Sequence, residues 1–184
     1  MPNPIQLLSL DFETTGLDVF HSRIVEVGGV LYAVDGGSAG TLTELAIPLD
    51  TFVNPGCPIP EQSSRIHGVT DARVFFTPTT TEVLTKLFDV LAQVDYVAGF
   101  NIDDYDWRLL REECRRCRLY ERFVEAESRL MLVDVMRLLP RRRSLKATYH
   151  GIFGESFEEH RAVADARATG RVLSWLIGRG VVRL

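Results

Sequence analysis

The chain has 184 residues, 46% of them hydrophobic and 25% charged, with a formal net charge of -4. That length suits one compact domain, residues 1–184, with a sizeable buried core, and leaves no room for a second full domain. No apolar run is long enough to span a bilayer, and Met1-Pro2-Asn3-Pro4 lacks the basic and then apolar opening of a secretory signal, so a soluble cytoplasmic protein is expected, with no membrane partner.

The apolar run Ile5 to Leu10 reads as a first strand and leads into Asp11-Phe12-Glu13-Thr14-Thr15-Gly16. Side chains alternate along a strand, so Asp11 and Glu13 project to one face while Phe12 turns back into the core. Two anions side by side repel. A divalent cation is the commonest compensating charge that also binds phosphate, and Mg2+ takes one or two carboxylates and completes its shell with water and substrate. After a turn at Gly16, Ile24 to Tyr32 reads as a second strand, and Asp35-Gly36-Gly37-Ser38 marks a turn. Leu42 to Val53 reads as a third strand, with Pro48 confining part of it to an edge or a bulge. Three closely spaced strands suggest an antiparallel meander.

The period then changes. Val83, Leu84, Leu87, Val90 and Leu91 recur at helical spacing, Tyr96 to Phe100 reads as a short strand, and a helix follows from Tyr105 to Cys117. Leu130 to Val133 is the next strand, with a short helix near Met136 that Pro140 ends; Ser144 caps another helix through Phe153, which Gly154 closes. The last helix runs from Ala162 to Ile177, and Ala162, Ala164, Ala166 and Ala168 let it lie close against the sheet. A meander followed by alternating helix and strand predicts an α/β fold: a mixed sheet of three antiparallel strands and then parallel strands, with helices packed on it.

Three cysteines, an odd number, argue against a disulfide framework. Cys114 and Cys117 form a CxxC with no second pair to complete a zinc shell, and they read as half-buried helix residues. The negative charge is uneven: Arg108 to Lys146 holds 12 basic and 6 acidic residues, a local +6, which leaves -10 elsewhere. A basic flank beside an acidic metal centre suits a phosphodiester substrate, with an arginine-rich solvated helix as the alternative. The run Arg141-Arg142-Arg143 reads as solvated loop or as a track for the phosphates of a single strand.

Two further stretches carry candidate chemistry. Asn101-Ile102-Asp103-Asp104-Tyr105-Asp106 lies where a strand ends and a helix begins, a place where open sheets set binding groups; one or two of its aspartates could instead cap the helix. His160-Arg161-Ala162-Val163-Ala164-Asp165 sets a histidine and a carboxylate five residues apart, which one regular helix would not align. The pair meets if His160 sits in the loop before the helix and Asp165 on its first turns. A surface histidine beside an exposed aspartate is the alternative for that string taken alone.

Together the three stretches resemble the DEDDh family of 3'-to-5' exonucleases, and the resemblance covers nearly the whole chain. Asp11 to Gly16 is similar to the family's first motif, Asn101 with Tyr105-Asp106 to its second, and His160 with Ala162 and Asp165 to its third. Val53-Asn54-Pro55-Gly56 and Ile66-His67-Gly68-Val69-Thr70-Asp71 match secondary stretches, while Phe100 stands where many members have histidine, so a polar contact found there is missing. The resemblance implies a ribonuclease H-like fold and two divalent metal ions ~4 Å apart, Mg2+ with Mn2+ able to substitute. By the same resemblance Asp11 bridges both ions, Glu13 and Asp165 hold the ion that activates water, and Asp106 supports the second. His160 is then the general base, and an ordinary histidine pKa of about 6.5 suits proton uptake near working pH. Asp103 and Asp104 become helix-entry residues. Thr14, Leu17 and His67 surround the terminal nucleotide, with Asn101 a further substrate-binding residue. Glu26, in the second strand, is assigned a hydrogen-bonding role outside the site.

The implied activity is hydrolysis from the 3' end of single-stranded DNA or of frayed ends, releasing nucleoside 5'-monophosphates. An RNA-trimming enzyme of the same family is one alternative, and a non-catalytic nucleic-acid-binding or DNA polymerase-associated module is another. Little chain follows the last helix, so a stand-alone nuclease, or one whose partner surface is on the domain itself, is expected.

Overall fold

Leu8, Leu10 and Phe12 alternate with Leu7, Ser9 and Asp11 along the first strand, β1 (Gln6–Thr14), and that alternation sorts the helices into two layers. The computed structural model describes residues 5–34 and 41–184; Met1-Pro2-Asn3-Pro4 and the turn expected at Asp35-Gly36-Gly37-Ser38 lie outside the described residues. The other strands are β2 (Ile24–Val34), β3 (Leu42–Phe52), β4 (Tyr96–Gly99) and β5 (Met131–Asp134). They form one five-stranded sheet in the order β3-β2-β1-β4-β5. β1, β2 and β3 pair antiparallel, and β4 and β5 add in parallel beside β1, as the sequence pattern predicts. β3 is an edge strand, which is where Pro48 is tolerated.

The helices are α1 (Glu61–His67), α2 (Asp71–Val74), α3 (Thr80–Leu91), α4 (Asp106–Arg116), α5 (Tyr120–Arg129), α6 (Leu145–Phe153) and α7 (Ala162–Gly178), with a 3-10 turn at Val135–Leu138. Leu8, Leu10 and Phe12 pack into a core with Leu84, Leu87 and Leu91 of α3 and Leu109 and Leu110 of α4. Leu7 faces the other way, into a core made by α6 and α7 with Val172, Leu173 and Tyr149. Among the described residues no helix is long and apolar enough to cross a membrane. Cys57, Cys114 and Cys117 are all free, and burial against the first core pushes the Cys114 thiol up.

Three helices depart from the sequence reading. α1 buries only Ser63 and His67, and α5 only Phe123 and Ala126, so neither shows an apolar stripe at helical period, and α2 is a four-residue turn. α3 begins earlier than its apolar repeat because Thr79 and Glu82 form a capping box that satisfies the first N-H groups. Ser144 caps α6 and Gly154 ends it in a left-handed conformation, as expected.

The contact that places the site is the approach of α7 to the sheet. Ala162, Ala166 and Ala168 are buried there, whereas Ala164 is half-buried, and Ser9 Oγ donates to the Ala166 carbonyl at 2.7 Å. The facing position on β2 must be glycine: a Cβ at Gly28 would lie 2.1 Å from the backbone of Ala162 and Val163. Gly28→Ala is therefore expected to lower unfolding free energy by about 1–3 kcal/mol, the usual range for overpacking, as read by urea denaturation. Unchanged stability would contradict this packing.

Candidate active site

The C-terminal half of β1 carries Asp11 and Glu13 on one face, and Asp165 stands on the first turn of α7. One carboxylate oxygen from each of Asp11, Glu13 and Asp165 lies within 4.8 Å of the others, and among the described residues these make up the group that could hold a metal ion. Asp106 begins α4 and is buried, where the backbone N-H groups of Asp106 and Phe12 favour its charged form against burial. It stands outside that close trio, but its charge acts on both Asp11 and Glu13. Residues 11, 13, 106 and 165 are thus brought to one place by three separate elements.

Burial is the first cause that raises all four carboxyl pKa values, because desolvation disfavours the charged form. Asp11 is held well above the usual carboxylate range, with the charges of Asp106, Asp165 and Glu13 adding to the desolvation. Glu13 is pushed up to about 8, with Asp165 and Glu26 adding to burial and Arg161 opposing it. Asp106 and Asp165 each rise to about 7, although backbone N-H groups stabilise both anions. An all-oxygen set of crowded anions fits a hard divalent cation, which supplies the missing positive charge.

His160 occupies the turn before α7 with a left-handed φ of 61°, and its backbone N-H donates to Asp165 Oδ2 at 2.8 Å. The histidine lies outside the helix and the aspartate in its first turn, as expected, but it is the backbone N-H and not the ring of His160 that meets the carboxylate. The imidazole is exposed and has no hydrogen-bond partner among the described residues.

The strand-to-helix stretch is organised differently from the expectation of aspartate caps. The N-cap of α4 is Tyr105, with no side-chain cap; Asp103 and Asp104 instead pair with Arg137 at 2.6 and 2.8 Å. Asn101 has a left-handed φ of 69°, and its N-H donates to buried Asp134 at 3.1 Å. Phe100 is half-buried against the α6 and α7 core.

Tyr105 reaches from α4 to β1, where its hydroxyl meets Thr14 Oγ1 at 2.7 Å and also donates to the Gly16 carbonyl. Beside it, His67 Nδ1 accepts the Val69 N-H at 3.0 Å, so Nε2 carries the proton that faces the Thr14 carbonyl at 3.2 Å. Burial lowers the His67 pKa, keeping that ring neutral, and both of its nitrogens are engaged within the protein. Leu17 is 90% exposed and projects from the loop that follows β1.

Sequence reasoning missed what holds that loop. Glu113 of α4 is fully buried and receives Arg23 Nε at 2.7 Å, while Arg116 donates to the Ser22 carbonyl at 3.0 Å and to that of Phe20. The partners are about 90 residues apart in sequence, so only the fold reveals them. The basic flank also changes meaning. Arg111 and Arg115 pair with Glu127 and Glu112, which the local +6 already counts, whereas Arg122 and Lys146 pair with Asp89 and Glu159 from outside the segment and so offset part of it. Arg142 faces Asp104 at 3.6 Å, and Arg141 and Arg143 border an open, mostly apolar cavity of about 690 Å3 with Leu138 and Trp175.

The raised carboxyl values have a consequence for stability. Folded carboxyls near 7 to 8, against about 4 in an unfolded chain, mean that the native state binds more protons across that window. Stability is then fully present below about pH 4 and is lost as pH rises through 7 to 8. Melting temperature measured in chelator should fall between about pH 5 and about pH 8, and saturating Mg2+ should remove most of the fall. A chelated protein whose melting temperature rises over that range would contradict the assignment.

The exonuclease family model, RNase_T, matches residues 8–173. An uncharacterized exonuclease, CP81, of Escherichia phage 186 is 31% identical, covering 93% of this chain and 88% of that protein. DNA polymerase III subunit epsilon of Aquifex aeolicus is 27% identical over 89% of this chain and 76% of its own length. DNA polymerase III of the PolC type from Thermotoga maritima is 29% identical, but the chain spans only 11% of its length. In fold, E. coli exonuclease I in complex with a 5cy-dT13 oligonucleotide superimposes with a TM-score of 0.79 at 15% identity, over 96% of this chain and 41% of that one. With the family model matched over most of the chain's length and a ribonuclease H-like sheet, the chain belongs to the exonuclease family of DEDDh 3'-to-5' enzymes.

Proposed function

We propose that the chain is a metal-dependent 3'-to-5' exonuclease that hydrolyses the terminal phosphodiester of single-stranded DNA or of a frayed end and releases a nucleoside 5'-monophosphate. The observation that carries this reading is the convergence of Asp11, Glu13 and Asp165 within 4.8 Å, with Asp106 and His160 beside them. Asp11, Glu13 and Asp165 would hold two divalent ions, Mg2+ or Mn2+, with Asp106 in support. Bound there, such ions neutralise the phosphodiester, polarise it and lower the pKa of water.

The protein's own groups do the rest. The His160 ring, unpaired and exposed, is free to take the proton of the attacking water. Thr14 and Gly16 present a backbone edge that Tyr105 and His67 hold still, so the terminal nucleotide meets a preorganised wall. Leu17, which projects into solvent, packs against the last base, and Asn101 contacts the nucleotide from the β4 side. His67 contributes shape, since its ring nitrogens are already engaged. The likeness to an epsilon subunit and to PolC-type polymerase III supports DNA over RNA, and supports a setting beside a DNA polymerase.

The test is incubation of matched 3'-labelled DNA and RNA strands with Mg2+ or Mn2+, with and without chelator. Labelled mononucleotide should appear from DNA first, chelator and Asp11→Ala should abolish it, and His160→Ala should slow it by about 100-fold or more. Metal-independent binding with no mononucleotide released would point to a binding module, and faster loss of RNA would point to the RNA-trimming alternative.

A further inference from the structure

Arg161 lies between His160 and the helix that carries Asp165, yet the chemistry above gives it no part. Its side chain leaves the entry turn of α7 and crosses to β2, where Nε donates to Glu26 Oε1 at 3.0 Å. Glu26 is fully buried and stands directly opposite Glu13 in the register of β1 and β2, so the two side chains share a face of the sheet. The guanidinium also packs over the Phe52 ring of β3, 5.3 Å from its centroid, while Glu158 is a looser partner at 3.8 Å. One arginine thereby pins the entry of α7 to two strands.

That anchor matters because, among the described residues, no hydrogen bond aims the histidine ring. Its direction therefore depends on the backbone that carries it. The backbone is in a left-handed conformation that a non-glycine residue adopts only when its surroundings enforce it. The enforcing contacts are the His160 N-H on Asp165, the Arg161 carbonyl receiving the Ala164 and Asp165 N-H groups at 2.8 and 2.9 Å, and the Arg161 side chain on Glu26. Glu26 is also a buried charge whose partner cannot be removed without leaving it uncompensated beside Glu13.

We propose that Arg161 and Glu26 act as a positioning pair that fixes the turn before α7 and so keeps His160 within reach of the attacking water. The inference rests on the reading of His160 as general base. In this proposal the pair acts through the turn that carries His160.

The test compares kcat and KM for Arg161→Gln, Arg161→Lys, Glu26→Gln, His160→Ala and the double variant His160→Ala with Arg161→Gln, on a labelled DNA oligonucleotide with Mg2+. Arg161→Gln should lower kcat about 100-fold with KM within about twofold, the scale of a misplaced catalytic group. Glu26→Gln should act in the same direction, and Arg161→Lys should recover much of the loss because the ammonium still pairs with Glu26. In the His160→Ala background, Arg161→Gln should change kcat by less than about twofold, because no base remains to be positioned. A wild-type kcat in Arg161→Gln, or an equal loss in both backgrounds, would overturn the proposal by assigning the pair to metal holding or to folding. Should Arg161→Gln not fold, Glu26→Gln in the two backgrounds makes the same comparison. Undiminished kcat in His160→Ala would overturn both the base assignment and this inference.

Discussion

Like-charge repulsion between buried carboxylates is the constraint on which the rest of this structure depends. Asp11 and Glu13 share one face of β1, and Asp165 and Asp106 are brought against them by the first turns of two helices. Burial raises the free energy of each anion, and crowding raises it further. Such a cluster persists only where the surrounding fold is rigid enough to hold it and a cation is available to relieve it.

The rigidity has identifiable sources. Gly28 lets the backbone of α7 touch β2, so Asp165 comes close to Asp11 without a long side chain having to reach. Asp106 begins α4, where the N-H groups of Phe12 and Asp106 favour its anion. Tyr105, next in sequence, ties the same helix to Thr14 and Gly16, and Glu113 and Arg116 secure the loop bearing Leu17 from further along α4. One helix therefore fixes an acidic residue and the wall against which a terminal nucleotide would rest.

Much of this was legible in the residues. Two carboxylates at strand spacing after an apolar run identify the face of β1, and a histidine too far from its aspartate for one helical face implies a turn followed by a helix start. The mixed sheet followed from a change of period between the strands before residue 54 and the alternating elements after it. What escaped was whatever depends on partners distant in sequence. The charge count of Arg108 to Lys146 could not show that Arg137 is shared between Asp103 and Asp104, or that Arg111 and Arg122 are held by Glu127 and Asp89. α1 and α5 escaped because each buries two residues, too few to set a period. Glu26 read as an ordinary buried hydrogen-bonding residue, and only the register with Glu13 and the reach of Arg161 place it at the border of the cluster.

The central claim is that these carboxylates form a cage for divalent cations. Anomalous diffraction from crystals grown with Mn2+ and a nucleoside 5'-monophosphate tests it most directly. The account predicts anomalous peaks among the carboxylates of Asp11, Glu13 and Asp165, with the nucleotide phosphate beside them. A saturating Mn2+ concentration that leaves that position without a peak, or peaks that form only at other sites, would contradict it.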